Sequence, residues 1–181
     1  MAEPVGGQAY GLYYTIPFWD KLLHTLNGFL FAGIGFALPG ILDKRPDRPV
    51  SIPLRLFMAF CLSMTAAVIW ECFEYGMDTL SLTDMQQDHI VSHIISYKLG
   101  SQGGSPLVIN DIRNTAVNGT ELGIGGYLDL GIHDTMQDLL SHMAGALIFS
   151  VTAFFQTRSE NSRFLEIFVL SSVKNKNKPI H

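Results

Sequence analysis

Three long stretches without an Asp, Glu, Lys or Arg residue constrain the fold more than any other feature of this sequence. They cover residues 26–38, 56–70 and 139–155, and each lies inside a longer apolar segment. A transmembrane helix needs about 20 predominantly apolar residues to cross the hydrocarbon core of a bilayer. We therefore expect three membrane-spanning helices, over about 20–42, 52–78 and 133–156.

The composition favours the same class of protein. Hydrophobic residues make up 48% of the 181 residues and charged residues only 15%, whereas a soluble domain averages about 25% charged residues. We expect a single membrane domain over 1–181 that has membrane lipid as its partner. The net charge of −4 and the absence of a basic surface stripe argue against a nucleic-acid partner.

The predicted fold class is all-α, a polytopic membrane helical bundle with amphipathic or interfacial helices added to the three spans. The extramembrane segment 79–132 is expected to begin with an amphipathic helix over 83–99, because Thr83-x-x-Gln86 fits a capping box and the apolar residues repeat at helical spacing. Residues 107–126 are equally compatible with short strands and with irregular backbone, and Asn118-Gly119 marks a turn. An interfacial helix is expected over 164–173, within a basic tail at 157–181.

The lysines and arginines orient the bundle. Most of them lie either between the first two predicted helices, at 44–55, or after the third, at 158–178. Short loops rich in Lys and Arg stay in the cytoplasm, so we expect a multi-pass protein of a bacterial inner (cytoplasmic) membrane. The start of the first helix, the end of the second and the start of the third then share the outer side.

Each of these three helix ends carries polar residues three or four positions apart, a spacing that keeps them on one helix face. We therefore expect six carboxylates and two imidazoles to converge at one membrane level. They are Asp20 and His24 on the first helix, Glu71, Glu74 and Asp78 on the second, and Asp134, Asp138 and His142 on the third.

Crowded carboxylates must take up protons, pair with histidine or bind a cation. Helix bundles build divalent-metal sites from Asp, Glu and His at this spacing, and such ligands suit Mg, Mn, Fe or Zn. The candidate metal ligands are Asp20, His24, Glu71, Glu74, Asp134, Asp138 and His142. Of these, His24, Glu71 and Asp138 are also the candidate catalytic residues. A simpler explanation is that Asp20 and Asp134 only cap their helices.

Three short motifs carry a resemblance to a known group of proteins. They are Asp20-Lys21-Leu22-Leu23-His24, Trp70-Glu71-x-x-Glu74, and Gly126-Tyr127-Leu128-Asp129-Leu130-Gly131 leading to Asp134-Thr135-x-x-Asp138. With these motifs, residues 18–150 resemble uncharacterised bacterial membrane proteins called YjdF-like, which are loosely similar to VanZ-like proteins. The resemblance implies a multi-span inner-membrane protein without an established reaction. The similarity to VanZ-like proteins suggests a function linked to envelope or glycopeptide stress. Relatives tend to have further hydrophobic helices before the Asp-Lys-x-x-His motif, whereas this chain begins almost at it.

Three functions are compatible with these residues. The first is a metal-dependent enzyme that acts on a lipid or a lipid-linked phosphate at the outer membrane face. The second is a small transporter or permease subunit that uses the same carboxylates as ion or proton sites; with three spans, it would have to form a homo-oligomer. The third is a non-catalytic membrane scaffold in which the polar residues only join helices.

Overall fold

Three long helices dominate the protein. The structure, a computed structural model, describes residues 18–42, 50–100 and 104–158 together with residues 165 and 168. The helices are α1 (Trp19–Leu42), α2 (Ile52–Ser81) and α3 (Ile132–Gln156). Each is long and apolar enough to cross a membrane, which confirms the three predicted helices to within three residues at each end.

Contacts between residues divide the chain into two compact units. The first contains residues 1–70 and 137–181, and the second contains residues 71–136. The boundaries fall inside α2 and α3, so each of these helices contributes to both units. The two units are described in turn.

In the first unit, α1 and α3 run parallel and approach each other closely at two glycines. A Cβ atom on Gly28 would overlap the carbonyl oxygen of His142, and one on Gly145 would overlap the carbonyl oxygen of Thr25. Backbones can come this near only where a side chain is missing, which is the usual role of small residues between membrane helices. Ala32, four residues after Gly28 on α1, is fully buried.

The helices α1 and α2 run antiparallel in the same unit. A Cβ atom on Gly35 would lie 2.8 Å from the Cα atom of Ala59. Nearer the start of α1, the hydroxyl of Ser63 donates a hydrogen bond of 2.8 Å to the carbonyl oxygen of Gly28. Both helices are therefore held to each other by small residues and one buried hydrogen bond.

Aromatic side chains fill the core of the first unit. Phe149 on α3 makes edge-to-face contacts with Phe29, Phe36 and Phe168, at centroid distances of 5.3, 5.9 and 5.1 Å. Leu165 also lies in this core. Leu165 and Phe168 are the described residues of the predicted interfacial helix over 164–173, and both are helical. The charged turn at 43–49 and the basic tail beyond Phe168 lie outside the described residues.

The second unit contains six short strands that form three two-stranded antiparallel sheets. The strands are β1 (His89–Val91), β2 (Ile94–Ser96), β3 (Leu107–Ile109), β4 (Ala116–Val117), β5 (Thr120–Glu121) and β6 (Tyr127–Asp129). They pair as β1 with β6, β2 with β3 and β4 with β5. The prediction of an all-α fold is therefore wrong for this segment.

The amphipathic helix predicted over 83–99 is also wrong. Its apolar residues lie on β1 and β2, where Ile90 pairs with Leu128 and Ile95 with Val108. Thr83 does not begin a capping box, because its hydroxyl donates to the carboxylate of Asp78 at 2.8 Å. A short apolar run is compatible with the residue spacing of a helix and with that of a strand. Here β1 and β2 are strands because β6 and β3, which follow later in the chain, pair with them.

The turn predicted at Asn118-Gly119 is confirmed. These residues connect β4 to β5 as a two-residue hairpin loop. Both have positive φ angles, 52° and 80°, which is the backbone of a type I′ turn and explains the preference for Asn-Gly at this position.

Candidate metal site

Asp20, His24 and Asp138 come together in the first unit. Asp20 lies in the first turn of α1 and His24 one turn later, so both point from the same helix face. Asp138 lies in the second turn of α3. Because α1 and α3 run parallel, the start of α1 lies beside Asp138 within this unit. All three side chains are buried.

The three side chains surround a small common space. Nε2 of His24 lies 3.6 Å from Oδ1 of Asp20 and 3.7 Å from Oδ2 of Asp138. With one ligand atom taken from each residue, the three atoms all lie within 4.8 Å of one another. Within the described part of the first unit, predicted metal ligands from α1 and α3 meet here.

The spacing is close to that of a metal-ligand set. At metal–ligand bonds of about 2.0–2.1 Å, neighbouring ligands of a tetrahedral site lie about 3.3–3.4 Å apart. The two distances from His24 exceed this value by a few tenths of an ångström, a change within reach of side-chain rotation. Two carboxylate oxygens and one imidazole nitrogen form a donor set suited to Zn, Fe, Mn or Mg.

Lys21 belongs to this cluster, and the sequence reasoning did not select it. Its ammonium nitrogen lies 2.6 Å from Oδ1 of Asp138 and 3.0 Å from Oδ2 of Asp20. Lysine follows Asp20 by one position and would project from a different helix face, but its long flexible stem brings the ammonium back to the carboxylates. The spacing rule that selected the other residues considers only where each side chain starts and so overlooks this one.

Positive charge lies beside the carboxylates of this cluster. The start of an α-helix carries partial positive charge, which favours an acidic side chain in the first turn. Asp20 has this position on α1. The Lys21 ammonium adds a full positive charge beside Asp20 and Asp138.

His142 lies one turn after Asp138 on α3 and is buried. Its ring stacks on that of Phe31 at a centroid distance of 6.3 Å. Within the described residues, its Nε2 atom has no hydrogen-bond partner. Unsatisfied buried polar atoms are rare and point to an absent partner such as water, an ion or a ligand. His142 is outside the set of three side chains whose ligand atoms converge.

The remaining candidate ligands are residues of the second unit. Glu71 and Glu74 are buried on α2 and continue the buried face formed by Ala59, Ser63 and Ala67. Asp134 is buried at the start of α3, where its Oδ2 atom accepts a hydrogen bond of 3.0 Å from the backbone amide of Gln87. The convergence of all three polar patches stays a prediction.

Asp78 has a structural role in the second unit. Its carboxylate accepts hydrogen bonds from the backbone amides of Met85 and Gln86, at 2.6 and 2.8 Å. The third donor is the Thr83 hydroxyl. Asp78 thus fixes the chain as it leaves α2, which explains why an acidic residue is placed at a helix C-terminus that does not favour it.

Two further acidic side chains follow Asp78. Partial loss of hydration raises the pKa of Asp84, and the charges of Asp78 and Asp134 raise it further. Loss of hydration also raises the pKa of Asp88, with added repulsion from Asp84, Asp129 and Asp78. The start of this loop is therefore a region of mutual acidic repulsion.

Comparison with known proteins places the chain in a family. Residues 3–159 match the model of a family described as "Predicted membrane protein (DUF2238)". The chain belongs to this family. The match covers all three long helices and both parts of the cluster formed by Asp20, Lys21, His24 and Asp138. This match supports the expectation that the chain is a membrane protein. The finer resemblance to YjdF-like and VanZ-like proteins stays a prediction.

A relative from Thermotoga maritima, named only as an uncharacterised protein, is 34% identical over 76 residues. The aligned part covers 42% of this chain and 38% of the relative, so the chain spans well under half of that protein. No solved structure matches the chain.

Proposed function

We propose that this protein is a membrane-embedded, metal-dependent enzyme that acts on the phosphate of a lipid or a lipid-linked molecule. The observation that carries the proposal is the convergence of Asp20, His24 and Asp138, whose ligand atoms lie within 4.8 Å of one another. Ionisable groups inside membrane helices are costly and are functional-site candidates for that reason.

A site formed by Asp20, His24 and Asp138 alone would have the ligand number of a catalytic site. Structural zinc sites are closed by four protein ligands, whereas catalytic sites use three and keep a position open. A divalent cation held here would supply Lewis acidity and an activated water molecule. The chain's own contribution is to fix the two carboxylates and the imidazole on the first two turns of α1 and the second turn of α3.

His142 is the residue we assign to proton transfer. It is buried one turn after Asp138, and its Nε2 atom lacks a hydrogen-bond partner within the described residues. A neutral imidazole with a free nitrogen is a suitable general base near neutral pH. With His24 as a ligand, the roles of the two histidines differ. Glu71, Glu74 and Asp134 remain further ligand candidates on the sequence argument alone.

A non-catalytic polar network is the second candidate, and the position of Lys21 favours it. Its ammonium already contacts Asp20 and Asp138 and so supplies positive charge to two buried carboxylates without a metal. In that case, Asp20, Lys21, His24 and Asp138 would join α1 to α3 and perform no chemistry.

Phosphate release from lipids separates the two candidates. The purified protein in detergent is incubated with phosphate-bearing lipids, with Mg²⁺, Mn²⁺ or Zn²⁺ and with a chelator. The enzyme proposal expects metal-dependent release that is lost in His24→Ala and in Asp138→Asn. The matched control is Asp111→Asn, which removes a carboxylate from a loop of the second unit. Equal activity in Asp138→Asn and wild type, or activity unaffected by chelator, contradicts the proposal.

A further inference from the structure

Lys21 and His24 contact different oxygens of the same two carboxylates. Asp20 presents Oδ1 to His24 and Oδ2 to Lys21, and Asp138 presents Oδ2 to His24 and Oδ1 to Lys21. In these four contacts, the ammonium and the imidazole use different carboxylate oxygens. The same two carboxylates can therefore bind two cationic groups side by side. One is a metal ion between Asp20, His24 and Asp138, and the other is the ammonium of Lys21.

Lys21 is also the most exposed member of this cluster. Its side chain is 25% exposed, compared with 11% for Asp20, 6% for His24 and 2% for Asp138. A molecule that approaches the cluster from outside the protein can therefore contact the lysine more readily than the buried ligands. The ammonium is therefore well placed to contact an incoming group.

We propose that Lys21 is the phosphate-binding residue of this site and that a bound metal releases it for that role. The proposal rests on the metal site proposed above. When a divalent cation shares the charge of Asp20 and Asp138, their attraction for the ammonium falls. The flexible four-carbon stem of lysine then lets the ammonium turn from the carboxylates to an anionic group at the metal.

Lysine is chemically suited to this step. Its ammonium binds phosphate as a point charge with three donors, and a charge-assisted hydrogen bond is about twice as strong as a neutral one. The ligand class is a phosphate group bearing at least one negative oxygen, carried either by a lipid headgroup or by free phosphate. Anion binding at Lys21 should depend on prior metal binding, because Asp20 and Asp138 attract the ammonium until then.

The test measures two affinities separately in the detergent-purified full chain. Binding of Mn²⁺ is measured first, from the electron paramagnetic resonance signal of the free ion. Binding of inorganic phosphate and of dihexanoyl phosphatidic acid is then measured by calorimetry, with and without Mn²⁺. The variants are Lys21→Met and Lys21→Arg, and the matched control is Lys98→Met, which removes a lysine from the second unit.

We expect Mn²⁺-loaded wild type to bind phosphate groups roughly tenfold more tightly or better than metal-free protein. Mn²⁺-loaded Lys21→Met should bind phosphate at least about tenfold more weakly than Mn²⁺-loaded wild type. Lys21→Arg should retain most of the wild-type affinity, and Lys98→Met should match wild type. Tighter binding of the phosphatidic acid identifies a lipid headgroup as the source, and equal binding identifies free phosphate.

The failures are distinguishable. Wild type that binds no Mn²⁺ overturns the metal site and this inference with it. Equal phosphate affinity in metal-loaded wild type and Lys21→Met overturns the role of Lys21 alone. Phosphate binding that is independent of Mn²⁺ overturns the release step.

Discussion

The ammonium nitrogen of Lys21 lies 2.6 Å from Oδ1 of Asp138, so an ion pair joins the first turn of α1 to the second turn of α3. The Asp138 side chain is 2% exposed and that of Lys21 is 25% exposed. Burial reduces the screening that makes surface ion pairs weak. This contact is therefore a structural feature of the first unit as well as part of the candidate site.

Removing either partner should destabilise the protein in metal-free buffer. We expect Asp138→Asn to lower the free energy of unfolding by about 2–4 kcal/mol, because the lysine loses a buried partner. Lys21→Met should cost at least as much, since it leaves the neighbouring buried carboxylates of Asp20 and Asp138 without this ammonium. A double-mutant cycle, measured by unfolding in mixed micelles, should give a coupling of at least about 1 kcal/mol. Additive effects of the two substitutions would contradict a direct interaction.

The close approach of α1 and α3 makes Gly28 intolerant of substitution. Gly28→Ala places a Cβ atom where the carbonyl oxygen of His142 lies, and two backbones must separate to accept it. We expect a loss of about 1–3 kcal/mol, as for other overpacked cores. Gly76→Ala on α2 is the control, because nothing lies within 4 Å of its added Cβ atom. That control should gain about 0.5–1 kcal/mol from helix propensity. Equal thermal midpoints for the two variants would refute the packing account.

The hydrogen bond from Ser63 to Gly28 should contribute measurably to the contact between α1 and α2. Ser63→Ala removes a buried donor at 2.8 Å, and such bonds between membrane helices contribute about 0.5–1 kcal/mol. Thr65→Ala is the matched control, because its exposed hydroxyl donates to the Cys61 carbonyl within α2 itself. A thermal midpoint of Ser63→Ala at or above that of Thr65→Ala would argue against the contribution.

The acidic loop after α2 gives a pH-dependent prediction. Because the pKa of Asp84 is raised in the folded state, the stability that this carboxyl contributes is present at low pH and is lost as the pH rises through its folded pKa. At neutral pH, Asp84→Asn should therefore raise the thermal midpoint slightly. The gain should vanish as the pH falls through the folded pKa of Asp84 toward the ordinary aspartate value of about 3.9. Glu121→Gln on β5 controls for the general loss of a carboxylate, and a lower midpoint for Asp84→Asn at neutral pH would contradict the account.

The three long helices could be read from the sequence because the signal is local. An uncharged run such as 56–70 has no stable alternative to a helix in lipid, where every backbone group must be paired within its own segment. The observed helices differ from the predicted ones by three residues or fewer at each end. The close packing at Gly28 was predictable for the same reason, since small residues four apart mark a helix contact.

The strands of the second unit could not be read in the same way. Ile90 on β1 pairs with Leu128, and Ile95 on β2 pairs with Val108, so each pair joins residues that are far apart in sequence. A window of neighbouring residues contains the apolar pattern of β1 and β2 but not their partners. The Asn118-Gly119 hairpin was the exception, because its two strands are adjacent in the chain.

The candidate site was predictable in part. Spacing on one helix face grouped Asp20 with His24, and in the structure Asp138 lies near both. The membrane side on which the charge pattern places them stays a prediction. The same spacing also selected Asp78, whose carboxylate instead holds the backbone of Met85 and Gln86. Lys21 was missed because its function depends on where a long side chain ends, which helix spacing does not describe.

The metal content of the purified protein tests the central claim, that Asp20, His24 and Asp138 hold a divalent cation, most directly. Elemental analysis is performed on detergent-purified wild type, His24→Ala, Asp138→Asn and Lys98→Met after reconstitution with Mg²⁺, Mn²⁺, Fe²⁺ or Zn²⁺ and removal of free metal. The account predicts stoichiometric metal in wild type and Lys98→Met, and little in His24→Ala and Asp138→Asn. Wild type without metal, or equal metal in wild type and both ligand variants, would contradict it.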